Sequence, residues 1–352
     1  MDLSKFRQPQ LIEKIIDELQ DFRQPVKFME VCGSHTMAIG HWGIRKLLPQ
    51  NIKLISGPGC PVCVTPSSII DALIDLKNIT IAVFGDLLRV PGSHGTLEQA
   101  RASGADVRII YSPLEALEIA ELKETVLVGI GFETTIPGMA LVLQKAAAVK
   151  LKNFSLLPAF KLIPPALDAL LSGSDVQVDG FILPGHVSVV IGADAYKFLP
   201  QKFGIGGVVT GFEPLDILLG IRNLVNQIKQ EQPKIENEYG RVVTKTGNLQ
   251  AKKIIDQTLQ TEDAIWRGLG MIPQSGLGIR PEYAQYDAVK KYGLKINGKE
   301  IHTGCRCAEV LKGAITPADC PLFARICQPA NPLGPCMVSS EGSCAAYYRY
   351  ER

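Results

Sequence analysis

Between Val26 and about Asn226, short, largely apolar runs alternate with amphipathic stretches. The runs are VKFMEV (26–31), IKLIS (52–56), ITIAVF (79–84), DVRIIY (106–111), TVLVGIG (125–131), FSLLPAF (154–160), DGFILP (179–184) and GGVVTGF (206–212). Between them lie SSIIDALIDL, PLEALEIAEL, IPGMALVLQKAAAV and PPALDALLSG, each with helical spacing of its apolar residues. A run that is apolar at every position belongs to a strand covered on both faces. Such strands alternating with helices predict βαβ units and buried parallel sheets. The fold class is therefore α/β. Eight strands would make one large sheet or two smaller ones; two similar domains, 25–122 and 123–228, are expected, with the break near Leu122–Thr125. Residues 1–24 predict a helix with a stripe of Leu11, Ile12, Ile15, Ile16 and Leu19, expected to pack on the carboxyl-terminal domain. Beyond Asn226 the stretch QEQPKIENEYGRVV is polar, one helix is expected over Leu249–Gln260, and the rest of 229–352 is rich in Gly, Pro and Cys. That last region has too few apolar residues for much of a core of its own.

Several strands run into Pro-Gly loops: GPGC (57–60), VPGS (90–93), IPGM (136–139) and LPGH (183–186). Open α/β sheets place their sites at the carboxyl ends of parallel strands, where such loops would lie. Pro-Gly is also ordinary turn chemistry.

At 352 residues the chain is long enough for two or three domains. A net charge of +2, with no basic run, argues against a nucleic-acid surface. No apolar run approaches the roughly 20 residues needed to span a bilayer, and the start, MDLSKFRQPQ, lacks the apolar core of a signal peptide. A cytoplasmic location is expected, where clustered cysteines are metal ligands or redox groups more often than structural disulfides.

The nine cysteines are segregated. Cys32, Cys60 and Cys63 precede a stretch from Val64 to Gly304 with none, and Cys305, Cys307, Cys320, Cys327, Cys336 and Cys344 fall in the last 48 residues. Two separate sulfur sites that meet in the fold are implied, and the odd count fits poorly with a purely disulfide framework. In the tail, a C-x-C followed by single cysteines, with no histidine past His302, is poor for a zinc ribbon. Four thiolates at diverse spacings suit a cubane iron–sulfur cluster better, wrapped by a Pro- and Gly-rich chain; zinc, disulfides or inert thiols remain alternatives. Two cysteines would be left over as a redox pair.

Near the amino terminus, Cys60 and Cys63 form GPGCPVC between a strand and a helix expected from about Pro66. A helix dipole there would favour thiolate, which is both the nucleophile and the metal ligand. Cys32 follows another strand in EVCGSHTMAIGHWGIR, with His35 three residues on, able to share a metal or hydrogen-bond the thiolate. A buried core thiol is the plainer reading of Cys32 alone, and His41 reads as a helix-surface residue. Together Cys32, Cys60, Cys63 and His35 make a candidate soft-metal site for iron, copper(I) or zinc. No Walker-type phosphate loop is present; GIGFET (129–134) is not a full GxGxxG.

Taken together, MEVCGSHT (29–36), SGPGCPVCVTP (56–66), FGDLLRVPGS (84–93), GFETT (131–135), LPGHVSVVIG (183–192), GFEPLDIL (211–218) and the tail over 305–313 and 320–350 closely resemble the HypD family of [NiFe]-hydrogenase maturation proteins. The resemblance covers essentially the whole chain. It implies two similar α/β domains facing a cleft, plus a mostly helical or irregular iron–sulfur domain. It implies a scaffold, rather than a conventional turnover enzyme, on which iron acquires two cyanides and one carbon monoxide before entering the hydrogenase large subunit. The implied partners are a small HypC-type chaperone, whose amino-terminal cysteine shares the iron, and a HypE-type cyanide donor. The family's C-x14-C-x6-C-x16-C pattern for a [4Fe-4S] cluster falls on Cys305, Cys320, Cys327 and Cys344, leaving Cys307 and Cys336 as the redox pair. Met37 departs from family members that carry a second histidine there. An iron–sulfur-dependent thiol–disulfide oxidoreductase is the alternative function.

Overall fold

In the computed structural model, residues 3–173, 176–298 and 304–352 are described. Met1 and Asp2 of the predicted amino-terminal segment, and His302, lie outside them. All eight apolar runs are strands: β1 (Val26–Glu30), β2 (Ile52–Ser56), β3 (Thr80–Val83), β4 (Val107–Ile109), β5 (Thr125–Gly131), β6 (Phe154–Phe160), β7 (Gly180–Pro184) and β8 (Gly206–Thr210). A short ninth, β9 (Ile235–Asn237), follows. They form two wholly parallel sheets, of order β2-β1-β7-β8-β9 and β4-β3-β5-β6. β5 and β8 are buried at every position, as continuous apolar runs require.

The sheets do not divide at Leu122–Thr125. β3 pairs with β5 from Thr80↔Thr125 to Ala82↔Leu127, so strands on both sides of that point share a sheet. The five-stranded sheet takes β1 and β2 from one end of the region and β7 to β9 from the other, and the four-stranded sheet is built between them. Apolar periodicity identifies a buried parallel strand but carries no information about its neighbour, because every crossover leaves the strand equally buried.

The amino-terminal helix (Pro9–Gln20) also differs from expectation. Ile15 and Leu19 are buried with Leu218 and Ile221 of the helix Pro214–Lys229, on the outer face of the five-stranded sheet. Arg7 pairs with Glu213 at the same contact. The stripe fixed which face is buried, not what covers it.

After the predicted helix, observed over Leu249–Thr258, comes an antiparallel hairpin that the sequence reading lacked: β10 (Leu259–Trp266) and β11 (Gly270–Ile279), with a register shift between Glu262 and Ala264. β10 has four consecutive exposed positions, Gln260 to Asp263, and β11 contains Pro273 and two glycines after its first, so neither alternates cleanly. The tail 304–352 is irregular around short helices, Cys307–Leu311, Pro335–Val338 and Ser343–Tyr350.

The tail reaches both sheets. Ser339 Oγ lies 3.4 Å from Asp86 Oδ2, beyond β3. Ser34 Oγ, beyond β1, donates to Glu341 Oε1 at 2.8 Å. Arg45 joins Glu30 at the end of β1 to Glu351 at the end of the last helix. The segment 336–344 is thus a strap across the carboxyl edges of the two sheets.

Candidate functional site

Cys32 stands two residues past the end of β1, at the N-cap position of the helix Gly33–His41. The connection from β1 leads to β2 on one side, whereas β7, its other neighbour, leads on to β8 on the opposite side. Cys32 therefore sits at a topological switch point, where parallel sheets open a crevice for ligands. His186 follows β7 across that crevice, and Phe212 follows β8. The Phe212 ring lies 4.6 Å from that of His35 and 4.0 Å from that of His186.

Cys32 is 9% exposed. Burial pushes its thiol up to about 11, and the nearby Glu341 carboxylate pushes the same way. The backbone N–H groups of His35 and Ser34 and the Ser34 hydroxyl oppose this, as donors at a helix start do for an anion. It is therefore the main chain of His35 that addresses Cys32. The imidazole reaches the other way: Nε2 is 2.9 Å from the Gly211 carbonyl and 2.9 Å from Thr210 Oγ1. A carbonyl only accepts, so Nε2 carries the proton and Nδ1 keeps a lone pair, buried without a hydrogen-bond partner. Burial lowers the His35 pKa to about 4, so the ring is neutral. His41 is exposed at the helix end against Trp42 and Tyr350.

Gly59 is the point of contact between the two amino-terminal cysteine segments. Its carbonyl accepts from Gly33 N at 2.8 Å, and a Cβ placed on it would lie 2.4 Å from Cys32 N and 2.6 Å from Cys32 Cα. Only glycine permits that approach. Cys60 and Cys63 form a disulfide with Cα atoms 5.2 Å apart, and both are buried, at 3% and 0% exposure. The expected helix begins at Ser67, with the turn 61–65 before it. The dipole argument for thiolates is corrected on both counts: neither sulfur is a thiolate in this state, and Cys63 stands four residues short of the helix. The three-thiolate-plus-imidazole metal site is likewise not assembled; among the described residues no three His, Cys, Asp or Glu side chains are placed to hold a metal ion.

The tail cysteines gather in one region. Leu333 N donates to Cys327 Sγ at 3.4 Å, and a Cβ on the adjacent Gly334 would meet Cys305 Sγ at 2.8 Å. Burial raises the Cys344 thiol, and Cys327, Cys307 and Cys320 raise it further by charge. The four cysteines of the cluster pattern thus lie in one part of the tail, and sulfur donors suit an iron–sulfur cluster in kind, although among the described residues their sulfurs are not gathered in the arrangement that would hold a metal ion. Cys307 and Cys336 lie deeper, in the same apolar cluster as Cys60, Cys63, Val64 and Trp266. The two sulfur regions therefore meet in the fold.

Sequence reasoning gave no role to six residues. Thr210 and Gly211, which hold His35, sit inside a segment that reads as a strand end. Glu341 lies between two tail cysteines without a motif of its own, and Trp266–Arg267 belongs to the unpredicted hairpin. Glu133 of GFETT is buried at the end of β5, where Oε1 accepts from Ile163 N at 2.9 Å and burial raises its pKa to about 7.

A family model described as "HypD: Hydrogenase formation hypA family" matches residues 7–351. Among curated relatives, the hydrogenase maturation factor HypD of Azotobacter vinelandii is 45% identical, over 97% of this chain and 94% of its own. HypD2 of Bradyrhizobium diazoefficiens is 43% identical over 97% and 93%, and HypD of Escherichia coli strain K12 is 42% identical over 99% and 98%.

Proposed function

Because the chain belongs to the HypD family and is a hydrogenase maturation factor, we propose that it is the scaffold on which hydrogenase iron receives its cyanide and carbon monoxide ligands. The observation that carries this reading is Cys32: a single free thiol at the switch-point crevice, with amide donors at its back and a neutral imidazole beside it. Iron there is cargo, held by Cys32 and completed by the cysteine of a HypC-type chaperone entering the crevice, with a HypE-type protein delivering cyanide. The Nδ1 lone pair of His35, the His186 imidazole across the crevice and the Glu341 carboxylate are further donors of this chain near the site. Cys305, Cys320, Cys327 and Cys344 would hold a [4Fe-4S] cluster, which supplies single electrons when bound. Cys60/Cys63 and Cys307/Cys336 handle electron pairs.

The oxidoreductase alternative is disfavoured by access. A disulfide exposed by 3% and 0% cannot be reached by the thiol of a protein substrate. Its exchange partner has to be internal.

The test is complementation of a host that makes hydrogenase but lacks its own HypD-type protein. The chain restores hydrogenase activity, and Cys32→Ala, folded and normally expressed, does not. Full activity with Cys32→Ala would return Cys32 to a core thiol and sink the scaffold reading.

A further inference from the structure

The crevice at Cys32 is bordered by the donors that zinc takes up. They are the free Cys32 thiol, the His35 imidazole with its vacant Nδ1, and the exposed His186 imidazole across the gap. Ser34, next to Cys32, holds the Glu341 carboxylate at 2.8 Å. Thiolate, imidazole and carboxylate in threes and fours are what zinc sites are made of. Zinc also binds a given set of such donors more tightly than iron(II) does. A chain that carries iron as cargo therefore has to keep this set from closing, and among the described residues no three of these side chains are placed to hold an ion. What stands against both imidazoles is a phenyl ring. Phe212 lies 4.6 Å from the His35 ring and 4.0 Å from the His186 ring, tilted by 31° to each. An ion shared by both would lie about 2 Å from a nitrogen of each, whereas both imidazoles here meet the same carbon ring. That ring is firmly set. A Cβ on Gly211 would lie 2.2 Å from Asp216 Oδ2 and 2.8 Å from a Tyr239 ring carbon, and Glu213 on the other side is ion-paired with Arg7. Tyr239 meets Phe212 edge-on at 6.1 Å. The ends of β7 and β8 are pressed together as well, since a Cβ on Gly185 would lie 2.4 Å from the Thr210 carbonyl oxygen.

We propose that Phe212 sets the metal specificity of the Cys32 site: lodged against His35 and His186, its ring keeps the two imidazoles from joining Cys32 around a zinc ion. This rests on the reading of Cys32 as the anchor of cargo iron. Iron that receives ligands from outside the chain needs few donors from the chain itself. Zinc, which brings none, needs three or four. Holding the imidazoles apart therefore costs the cargo little and the competitor much, and discrimination comes from refusing the wrong ion rather than from gripping the right one. The exposed His186 is the side chain free to swing toward Cys32 once the ring is gone, because His35 is buried and tied through Nε2 to Gly211 and Thr210.

The experiment titrates the full chain, purified anaerobically, with zinc against a coloured chelator, and with cobalt(II), which takes the place of zinc and reports its ligands in the visible spectrum. Every variant is measured with and without Cys32→Ala, so that binding by the tail cysteines cancels and only Cys32-dependent binding is counted. Phe212→Ala should raise that zinc affinity about tenfold to a hundredfold, the range over which groups that orient a metal's ligands change its affinity. Its cobalt spectrum should gain the bands of a four-coordinate sulfur and nitrogen site. Phe212→Tyr, which keeps the ring, should stay at the parent value. Adding His186→Ala to Phe212→Ala should abolish the gain, which a merely loosened fold would not do. Circular dichroism reports folding, and should Phe212→Ala not fold, Phe212→Leu takes its place with the same expectation. Equal zinc affinity in parent and variant, or a gain that survives the loss of His186, overturns the role of Phe212 alone. Absence of Cys32-dependent binding from parent and variants alike refutes Cys32 as a metal anchor, and the proposal with it.

Discussion

Replacing Gly59 by alanine tests the contact on which the site's geometry depends. The added Cβ would stand 2.4 Å from Cys32 N, 2.6 Å from its Cα and 2.7 Å from its carbonyl carbon, against the 3.4–4 Å of ordinary contact. All three atoms are backbone, so no side-chain rotation relieves the clash, and the two loops must part by about 1 Å. Overpacking of this kind costs about 1–3 kcal/mol, and the Gly33 N–H to Gly59 carbonyl bond at 2.8 Å would stretch with it. The matched control is Gly85→Ala, where the nearest atom to a new Cβ is an Ile109 methyl carbon at 3.8 Å. Urea unfolding of both variants should show the Gly59 variant destabilised by at least about 1 kcal/mol and the Gly85 variant within about 0.5 kcal/mol of the parent. Hydrogenase maturation should fall sharply with Gly59→Ala, since a displacement of about 1 Å at a reacting group can cost about a hundredfold. Equal stability and equal maturation in the two variants would refute the close approach of these loops.

Three further outcomes follow from the same structure. Serine at Cys320 or Cys327 should remove the visible absorption of a [4Fe-4S] cluster from anaerobic protein and lower the unfolding midpoint, because the irregular tail gains order from its ligands; full colour in both variants would contradict the ligand assignment. In cluster-free, oxidised folded protein, mass spectrometry after brief alkylation should find the half-buried Cys320 labelled and Cys60 and Cys63 untouched. Glu133 favours its neutral form in the fold, with its pKa raised from 4.5 to about 7. The stability it contributes is full below pH 4.5 and is lost as pH rises through 7, by up to about 3 kcal/mol. Glu133→Gln should flatten that part of the stability profile, and an unchanged pH dependence would refute the assignment.

The α/β class and all eight strands were legible because buried parallel strands leave continuous apolar runs such as TVLVGIG, which no surface element needs. Sheet membership was not: Val26–Glu30 and Gly180–Pro184 are neighbours in space, yet nothing in either run encodes the other. The cysteines announced two sulfur sites by their segregation. That the two sites meet was also expected, but not the hairpin Leu259–Ile279 between them, whose charged, Gly- and Pro-broken strands carry no alternation. The redox state of Cys60 and Cys63 was open in the sequence, because spacing marks a reactive pair near a helix start, while burial of both sulfurs is a property of the packed cluster around them. His35 was found by its place beside Cys32, but the direction of its ring is set by Thr210 and Gly211, some 175 positions away.

The central claim is that Cys32 anchors the iron on which the diatomic ligands are placed. Infrared absorption of the chain, purified without oxygen together with a HypC-type chaperone, tests it most directly, because bound cyanide and carbon monoxide absorb where protein does not. The account predicts cyanide and carbon monoxide bands in the parent complex and none with Cys32→Ala, whose tail cluster colour persists. Absence of bands from a fully iron-loaded parent, or identical bands without the Cys32 thiol, would contradict it.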